Sequence, residues 1–239
     1  MQHKKFRREQ GFFMVEGHKS IAEFINSAYT IEAVYHTHGF DPKVLKLSQK
    51  INLCEISVTE LEKTSSLKTP QEVLAQLRIP EWPALQHKGL KGRFSLVLDG
   101  IQDPGNLGTI IRIADWFGIE NIICSDDTVD VYNPKVVQAC MGSLARVKVY
   151  YAVLTDFLTE VKLPVFGALL NGEDIYDTNF GAEGLVVMGN EGNGIRPEIQ
   201  KLVNTAVTIP RIGKAESLNV AIATALFCSE MTRKTNKLG

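Results

Sequence analysis

Cysteine is scarce in this chain of 239 residues: Cys54, Cys124, Cys140 and Cys228 are all there are. They lie far apart, form no CxxC pair and have no histidine at metal-ligand spacing, which excludes a disulfide framework or a zinc ribbon. Buried free thiols in a reducing compartment are the expectation. His36 and His38 alternate on a strand-like segment, and two histidines alone make a poor zinc site, so no metal is expected. No apolar run approaches the ~20 residues of a membrane span. The polar, basic stretch Met1–Gln10 is followed by an apolar run of only Phe12–Val15, which is not a signal peptide. A cytoplasmic protein without a membrane partner is the expectation. With 19 Gly, 9 Pro, 44% apolar and 22% charged residues, the composition excludes collagen, a disordered tail and a coiled coil. The length suits one or two domains with a core that needs no covalent staples.

Charge is balanced overall but not along the chain. Residues 1–93 hold 14 Lys and Arg against 10 Asp and Glu, a net of +4, whereas residues 94–239 hold 12 against 17, a net of −5. The basic excess starts at Lys4, Lys5, Arg7 and Arg8 and returns at Lys88, Lys91 and Arg93. Such patches neutralise phosphates; the plain alternative is a solvated terminus and linker.

The first half alternates between element types. Phe12–Val15, Ile31–Tyr35, Leu53–Val58 and Val73–Arg78 read as strands. Ser20–Ala28 reads as a helix with Ile21, Phe24, Ile25 and Ala28 at helical spacing. Asp41 with Pro42 opens a helix to about Lys50, and Thr59 with Glu62 forms a capping box. This predicts a small α/β domain over 1–80. Two prolines and two glycines without periodicity in Ile79–Arg93 mark 81–93 as a linker. In 94–239, apolar strands at Phe94–Leu98, Asn121–Cys124, Val147–Tyr151, Val165–Leu170, Leu185–Met188 and Ala206–Ile209 alternate with helices near Leu107–Phe117, Pro134–Met141, Leu154–Glu160, Pro197–Leu202 and Leu218–Thr232. Continuous apolar strands of this kind imply a parallel sheet covered on both faces. Ligands bind such sheets outside the carboxyl ends of the strands.

Three clusters follow strands. In Leu98–Arg112 a turn of Asp103, Pro104, Gly105 and Asn106 runs into a helix, with Asn106 placed as its cap. Arg112 lies six residues on, near Gly108 and Thr109, so the helix start and the guanidinium suit an anion site; the plain alternative is a capped helix with a surface arginine. In Val187–Pro197, glycines at 189, 192 and 194 let a ligand lie against bare backbone, and Glu191 is an acid within that turn; the plain alternative is a glycine-rich turn with a solvent-facing glutamate. The spacing G-x-x-G-x-G matches neither the dinucleotide fingerprint nor a P-loop. In Ile209–Ala221, a strand ends at Pro210 and Ser217 caps the last helix. Leu218, Ile222 and Leu226 form one apolar stripe, with small residues Ala221, Ala225 and Ser229 beside it.

Together and in this order the clusters resemble the three motifs of the SpoU/TrmH family of RNA ribose 2′-O-methyltransferases. N-x-G-x-x-x-R is present as Asn106, Gly108 and Arg112. G-x-E-x-x-G is present as Gly189, Glu191 and Gly194. I-P-x-x-G-x-x-x-S-L-N-V is present as Ile209, Pro210, Gly213, Ser217, Leu218, Asn219 and Val220. The likeness covers about Phe94–Met231, and Gly11–Gly17 with Thr69–Gln71 resemble the family's N-terminal substrate-binding domain. The chain departs from the family at Arg211, where an apolar residue is common. It also begins at the basic segment where relatives often have a further helix, which reads as a truncated or shortened start.

The resemblance implies an α/β domain whose C-terminal segment is threaded into a deep trefoil knot, a homodimer through that domain, and S-adenosylmethionine as cofactor. By motif position it assigns Leu170, Asn171, Gly189, Ile209 and Leu218 to cofactor binding, with Gly172 beside Asn171. It assigns catalysis to Arg112, Asn106, Glu191, Ser217 and Asn219. Arginine stays protonated in proteins, so Arg112 is read as binding the adjacent phosphate and stabilising the developing alkoxide rather than as a literal base. Asn106 and Glu191 are read as orienting Arg112 and the motif loops, and Ser217 and Asn219 as fixing the third loop. The expected partner is structured RNA, ribosomal RNA in preference to tRNA, gripped by the basic N-terminal domain. The alternative is a non-catalytic RNA-binding ribosome-assembly protein of the same fold, against which the intact Asn106, Arg112, Glu191 and Asn219 argue. A nucleotide-dependent oxidoreductase is disfavoured by the glycine spacing.

Overall fold

Two units divide the chain in a computed structural model that describes residues 3–235. One unit runs up to Trp82 and includes Asp130–Arg146; the other comprises Pro83–Val129 and the chain from Val147 onward. In chain order the first unit supplies α1 (Lys4–Gln10), β1 (Phe12–Glu16), α2 (His18–Ile25), β2 (Ile31–His36), β3 (Asn52–Glu55), α3 (Val58–Thr64) and β4 (Val73–Arg78). Next come β5 (Phe94–Asp99), α4 (Pro104–Trp116) and β6 (Asn121–Ser125), then α5 (Pro134–Ala139), which belongs to the first unit. The chain continues through β7 (Lys148–Ala152), α6 (Leu154–Glu160), β8 (Val165–Asp174), β9 (Gly184–Gly189), α7 (Pro197–Gln200), β10 (Thr205–Thr208) and α8 (Val220–Thr235).

The first unit is built on a mixed sheet in the order β1-β4-β2-β3, antiparallel except for the parallel β2–β3 pair. Phe13, Val15, Ile21, Phe24, Val34, Ala75 and Leu77 are buried in its core. Buried Glu16 is satisfied by the Ser65 hydroxyl at 2.8 Å and the Gln71 amide at 2.8 Å. The Gly17 amide donates to the Val73 carbonyl. The stretches Gly11–Gly17 and Thr69–Gln71 are therefore tied together directly.

Several local expectations shift. The helix expected from Asp41 to Lys50 is a single 3-10 turn, Pro42–Leu45, capped by Asp41 and closed by Lys46 in the left-handed region. The capping box is formed by Ser57 and Glu60 rather than Thr59 and Glu62, so α3 starts earlier. The charged N-terminus, where no helix was expected, forms α1. The segment 81–93 is not a free linker: Leu90 is fully buried and the His87 ring packs on Phe157 at 5.5 Å.

The largest difference concerns Asp130–Arg146, expected within the second domain. Its Tyr132 ring packs on Phe13 at 4.7 Å, its Asp130 pairs with Arg7, and a Cβ on Gly142 would lie 2.5 Å from Glu23. Local periodicity carries no record of such long-range pairing, which is why the excursion was not foreseen. Arg7 is thereby removed from the exposed basic cluster, with 3% of its side chain accessible. Breaking a buried ion pair leaves the other charge uncompensated. Arg7→Ala is expected to destabilise the first unit by about 3 kcal/mol, read as a lower denaturant midpoint; an unchanged midpoint would contradict this.

The second unit carries a six-stranded sheet in the order β10-β8-β9-β5-β6-β7, and every pairing is parallel. All carboxyl ends therefore share one edge. Val97, Ile123, Leu185 and Val187 pack with Leu154, Phe157, Leu158 and Ile199 on one face. The alternate residues Leu96, Leu98, Val186 and Met188 are buried on the other, where α4 and α8 pack together and α8 reaches β9. The β8–β10 register jumps between Ala206 (opposite Gly167) and Val207 (opposite Glu173), so residues 168–172 bow out of the ladder. From the edge strand β10 the chain travels back to α4 and β9.

The apolar stripe expected on the last helix points the other way. Leu218 precedes α8, and Leu218 and Ile222 are 50% and 55% exposed. Val220, Ala221, Thr224, Phe227, Cys228 and Met231 are the buried positions. Among the described residues no helix is long and apolar enough to cross a membrane.

Candidate active site

Four loops leave adjacent strands β10, β8, β9 and β5 at the carboxyl edge, and they carry the predicted site residues. The turn after β5 enters α4 through a cap, but the cap is Asp103, whose carboxylate accepts from the Asn106 amide at 2.8 Å, with Pro104 in the first turn. Asn106 was expected in that role. Freed from it, its side chain lies between two other motifs. Its Nδ2 donates to Glu191 Oε1 at 2.8 Å, and its Oδ1 accepts from Asn219 Nδ2 at 3.0 Å.

The polarity of this relay follows from one helix end. Asn219 Oδ1 accepts from the Ala221 and Ile222 amides at 2.9 and 3.3 Å, so Asn219 caps α8 and only its Nδ2 is left to donate. Asn106 must then accept with its oxygen and donate with its nitrogen, and Glu191 must accept. Ser217, expected as the cap, stands exposed two residues earlier. The three family motifs thus meet in a directed chain, Asn219 to Asn106 to Glu191.

Arg112 is exposed on α4, on the face it shares with Gly108, Thr109 and Trp116. Trp116 is 85% exposed. An accessible guanidinium on this face can meet a phosphate or a developing oxyanion.

The residues assigned to the cofactor lie on the β10, β8 and β9 loops. Leu170 and Asn171 sit in the bowed segment of β8, where the Thr208 hydroxyl donates to the Leu170 carbonyl at 3.1 Å. This places Leu170 beside Ile209 at the end of β10. A Cβ on Gly172 would lie 2.4 Å from the Ala206 carbonyl oxygen, so glycine lets β8 and β10 pass backbone to backbone. Gly189 ends β9, and a Cβ there would lie 2.2 Å from the Gly194 carbonyl carbon. Its Cβ side is filled by its own turn, so only glycine lets the turn fold back onto the end of β9. Leu170 and Leu218 are 73% and 50% exposed and present apolar surface.

Sequence reading missed three framework residues. Asp99, buried, accepts from the Arg196 amide at 2.8 Å and Nε at 2.7 Å, and also pairs with its Nη2. These hydrogen bonds, with the nearby charge of Asp99, Asp127 and Glu198, raise the Arg196 guanidinium above its ordinary value. Asn190 donates to the Gly100 carbonyl at 2.6 Å and accepts from the Gly192 and Asn193 amides. The available signal was an acid closing a strand that is otherwise apolar but for Ser95, because a buried carboxylate needs a partner.

A separate cleft of about 300 Å³ opens at the carboxyl ends of β6 and β7, lined by Asp126, Asp127, Thr155, Arg196 and Glu198 among others. It lies on the β6 side of β5, away from Leu170 and Ile209. Burial pushes the Cys124 thiol up, and the Cys228 thiol up to about 12, so neither is a nucleophile. No group of His, Cys, Asp and Glu among the described residues is arranged to hold a metal ion.

Comparison with known proteins agrees with this geometry. Residues 93–229 match the SpoU rRNA Methylase family, and residues 1–75 match an MRM3-like substrate binding domain. The 23S rRNA (guanosine(2553)-2′-O)-methyltransferase RlmP of Bacillus subtilis is 30% identical over 94% of this chain and 90% of its own. A TrmH-family protein of Porphyromonas gingivalis, described as an RNA methyltransferase, superposes with a TM-score of 0.86 at 37% identity, covering 98% of this chain and 94% of its own. An AdoMet-bound rRNA methyltransferase from Sinorhizobium meliloti gives 0.87 at 28% identity, covering 98% and 91%. The family match spans more than half the chain, its three motifs converge at one sheet edge, and the chain belongs to the SpoU rRNA methylase family.

Proposed function

We propose that this protein transfers a methyl group from S-adenosylmethionine to a ribose 2′-hydroxyl of ribosomal RNA, in the cytoplasm, as a homodimer whose C-terminal segment is threaded as a trefoil knot. The observation that carries the reading is the relay from Asn219 through Asn106 to Glu191, which needs all three motifs at once. Leu170, Asn171, Gly189, Ile209 and Leu218 hold the cofactor, which supplies an electrophilic methyl group. Arg112 binds the phosphate next to the target ribose and stabilises the oxyanion as the hydroxyl loses its proton. Glu191 and Asn106 fix the α4 start and the β9 turn against each other, and Asn219, with Ser217 ahead of it, fixes the third loop. The return of the chain from β10 to α4 and β9 supports the knot. Exposed Trp116, Leu218 and Ile222 supply apolar surface for the dimer.

The deciding experiment supplies methyl-labelled cofactor with large-subunit ribosomal RNA, the substrate in the name of the Bacillus subtilis relative, and with tRNA as control. Label in the ribosomal RNA at a position resistant to alkaline hydrolysis supports the reading. Label in tRNA alone overturns the substrate, and no label in either overturns the activity.

The first unit is the RNA grip. Lys4, Lys5 and Arg8 are exposed on α1, whereas Arg7 is committed to Asp130. Replacing Lys4, Lys5 and Arg8 together by glutamine is expected to weaken RNA binding and to lower the salt slope of log K by about 2 to 3 units. Equal affinities and slopes across a salt series would refute their role.

A further inference from the structure

Glu191 rides on a glycine-rich turn. The Asn190–Gly194 bridge closes it at its base with paired hydrogen bonds of 3.0 and 2.9 Å. Glycine contributes little stiffness of its own, yet the turn must hold a carboxylate at 2.8 Å from Asn106. The constraint comes from the end of β5. Asp99, whose side chain is 0% exposed, grips the far side of the turn through the backbone and the guanidinium of Arg196. Asn190 grips the near side through the Gly100 carbonyl. Gly100 is itself fixed, because its amide donates to Ser125 Oγ at 2.8 Å, and Ser125 Oγ lies 3.0 Å from Thr128 Oγ1. The two residues on which the turn is hung, Asp99 and Gly100, immediately precede the segment that leads to Asn106. The clamp therefore refers the second motif to the start of the first.

We propose that Asp99 and Arg196 are a positioning pair for methyl transfer, holding the Glu191 turn in register with Asn106. Neither touches the reacting atoms; both act through Glu191. The inference rests on the methyltransferase reading above. The pair is chemically specific. Nε and Nη2 of the guanidinium fork both meet Asp99 Oδ1 while the Arg196 backbone amide donates to Oδ2, and the single ammonium of lysine cannot reproduce the fork.

The test is steady-state methylation of ribosomal RNA by the full-length protein carrying Arg196→Ala, Arg196→Lys or Asp99→Asn, with S-adenosylhomocysteine affinity measured alongside. Sub-ångström to 1 Å misplacement of a catalytic group costs up to about a hundredfold. Arg196→Ala is expected to lower kcat roughly tenfold or more, with the KM for RNA and the S-adenosylhomocysteine affinity within about twofold of the parent. Arg196→Lys is expected to fall between parent and alanine. In a Glu191→Ala background, Arg196→Ala is expected to cost less than about twofold, because two residues acting as one unit are non-additive.

A folded Arg196→Ala protein with parental kcat would overturn the proposal, as would an equal loss with Glu191 already removed, or a loss confined to the KM or the cofactor affinity. If Arg196→Ala or Asp99→Asn does not fold, Arg196→Lys decides: parental kcat overturns the pair, and reduced kcat at unchanged KM supports it. A parent protein that labels no RNA would instead overturn the function itself, so the two failures are distinguishable.

Discussion

Arg112→Ala is expected to reduce methyl transfer by roughly a hundredfold to a thousandfold, the usual consequence of removing one donor from a developing oxyanion. Arg112 is exposed on α4, as are Thr109 and Trp116 on its face, whereas Gly108 one turn before it is buried with Ile110, Ile111 and Ala114. Its removal should therefore leave the fold intact. The residues proposed to hold the cofactor are Leu170 and Asn171 in the bowed part of β8, Gly189 at the end of β9, and Ile209 and Leu218 after β10, whereas Arg112 stands on the helix after β5, so S-adenosylhomocysteine should bind the variant as it binds the parent. Two quantities separate the roles in a single-turnover assay. Loss of phosphate binding alone raises the KM for RNA, whereas loss of oxyanion stabilisation lowers the rate at saturating RNA. Arg112→Lys keeps the charge and loses the fork. It is expected to recover part of the KM effect and little of the rate. A folded Arg112→Ala protein that methylates at the parental rate would remove Arg112 from the mechanism.

The sheet of the second unit was legible because its strands are continuously apolar and separated by amphipathic or capped segments. Phe94, Asn121 and Val165 begin strands where expected, and Leu154–Glu160 is the expected helix. The motifs were legible as spacings. Their mutual bonding was not, because it depends on which residue caps which helix. Asn106 and Asp103 are both good caps three residues apart, and sequence alone does not choose between them. The structure gives the cap to Asp103 and the cross-motif contact to Asn106. The same competition gives the α8 cap to Asn219 over Ser217. In each case the residue with an amide reaches another loop, because an amide both donates and accepts. The Asp99–Arg196 pair joins residues almost a hundred positions apart, and the packing of Tyr132 on Phe13 is as remote. Neither leaves a periodic signal.

Gly189→Ala is expected to be as damaging as loss of a catalytic side chain, although it adds one methyl group. The added Cβ would lie 2.2 Å from the Gly194 carbonyl carbon, 2.3 Å from the Ile195 nitrogen and 2.6 Å from the Gly194 oxygen. All three are backbone atoms, so no side-chain rotation relieves the contact. The bridge from Asn190 to Gly194 holds that strand of the turn against Gly189 through two hydrogen bonds. Relief therefore requires the turn to lift, and Glu191 lifts with it, away from Asn106. Displacement near 1 Å corresponds to about a hundredfold in rate, and overpacking adds about 1 to 3 kcal/mol of destabilisation. Gly192→Ala is the internal comparison. Its Cβ would meet only the Asn190 side-chain oxygen, at 3.5 Å, an ordinary contact. It should lose no more than a few-fold in rate. Rates and unfolding midpoints of the two variants, measured side by side, separate a steric requirement from a general need for a flexible turn. Equal losses at both positions would mean that flexibility is what the turn requires. A large loss at Gly189 alone would mean that its backbone packing sets the distance between Glu191 and Asn106.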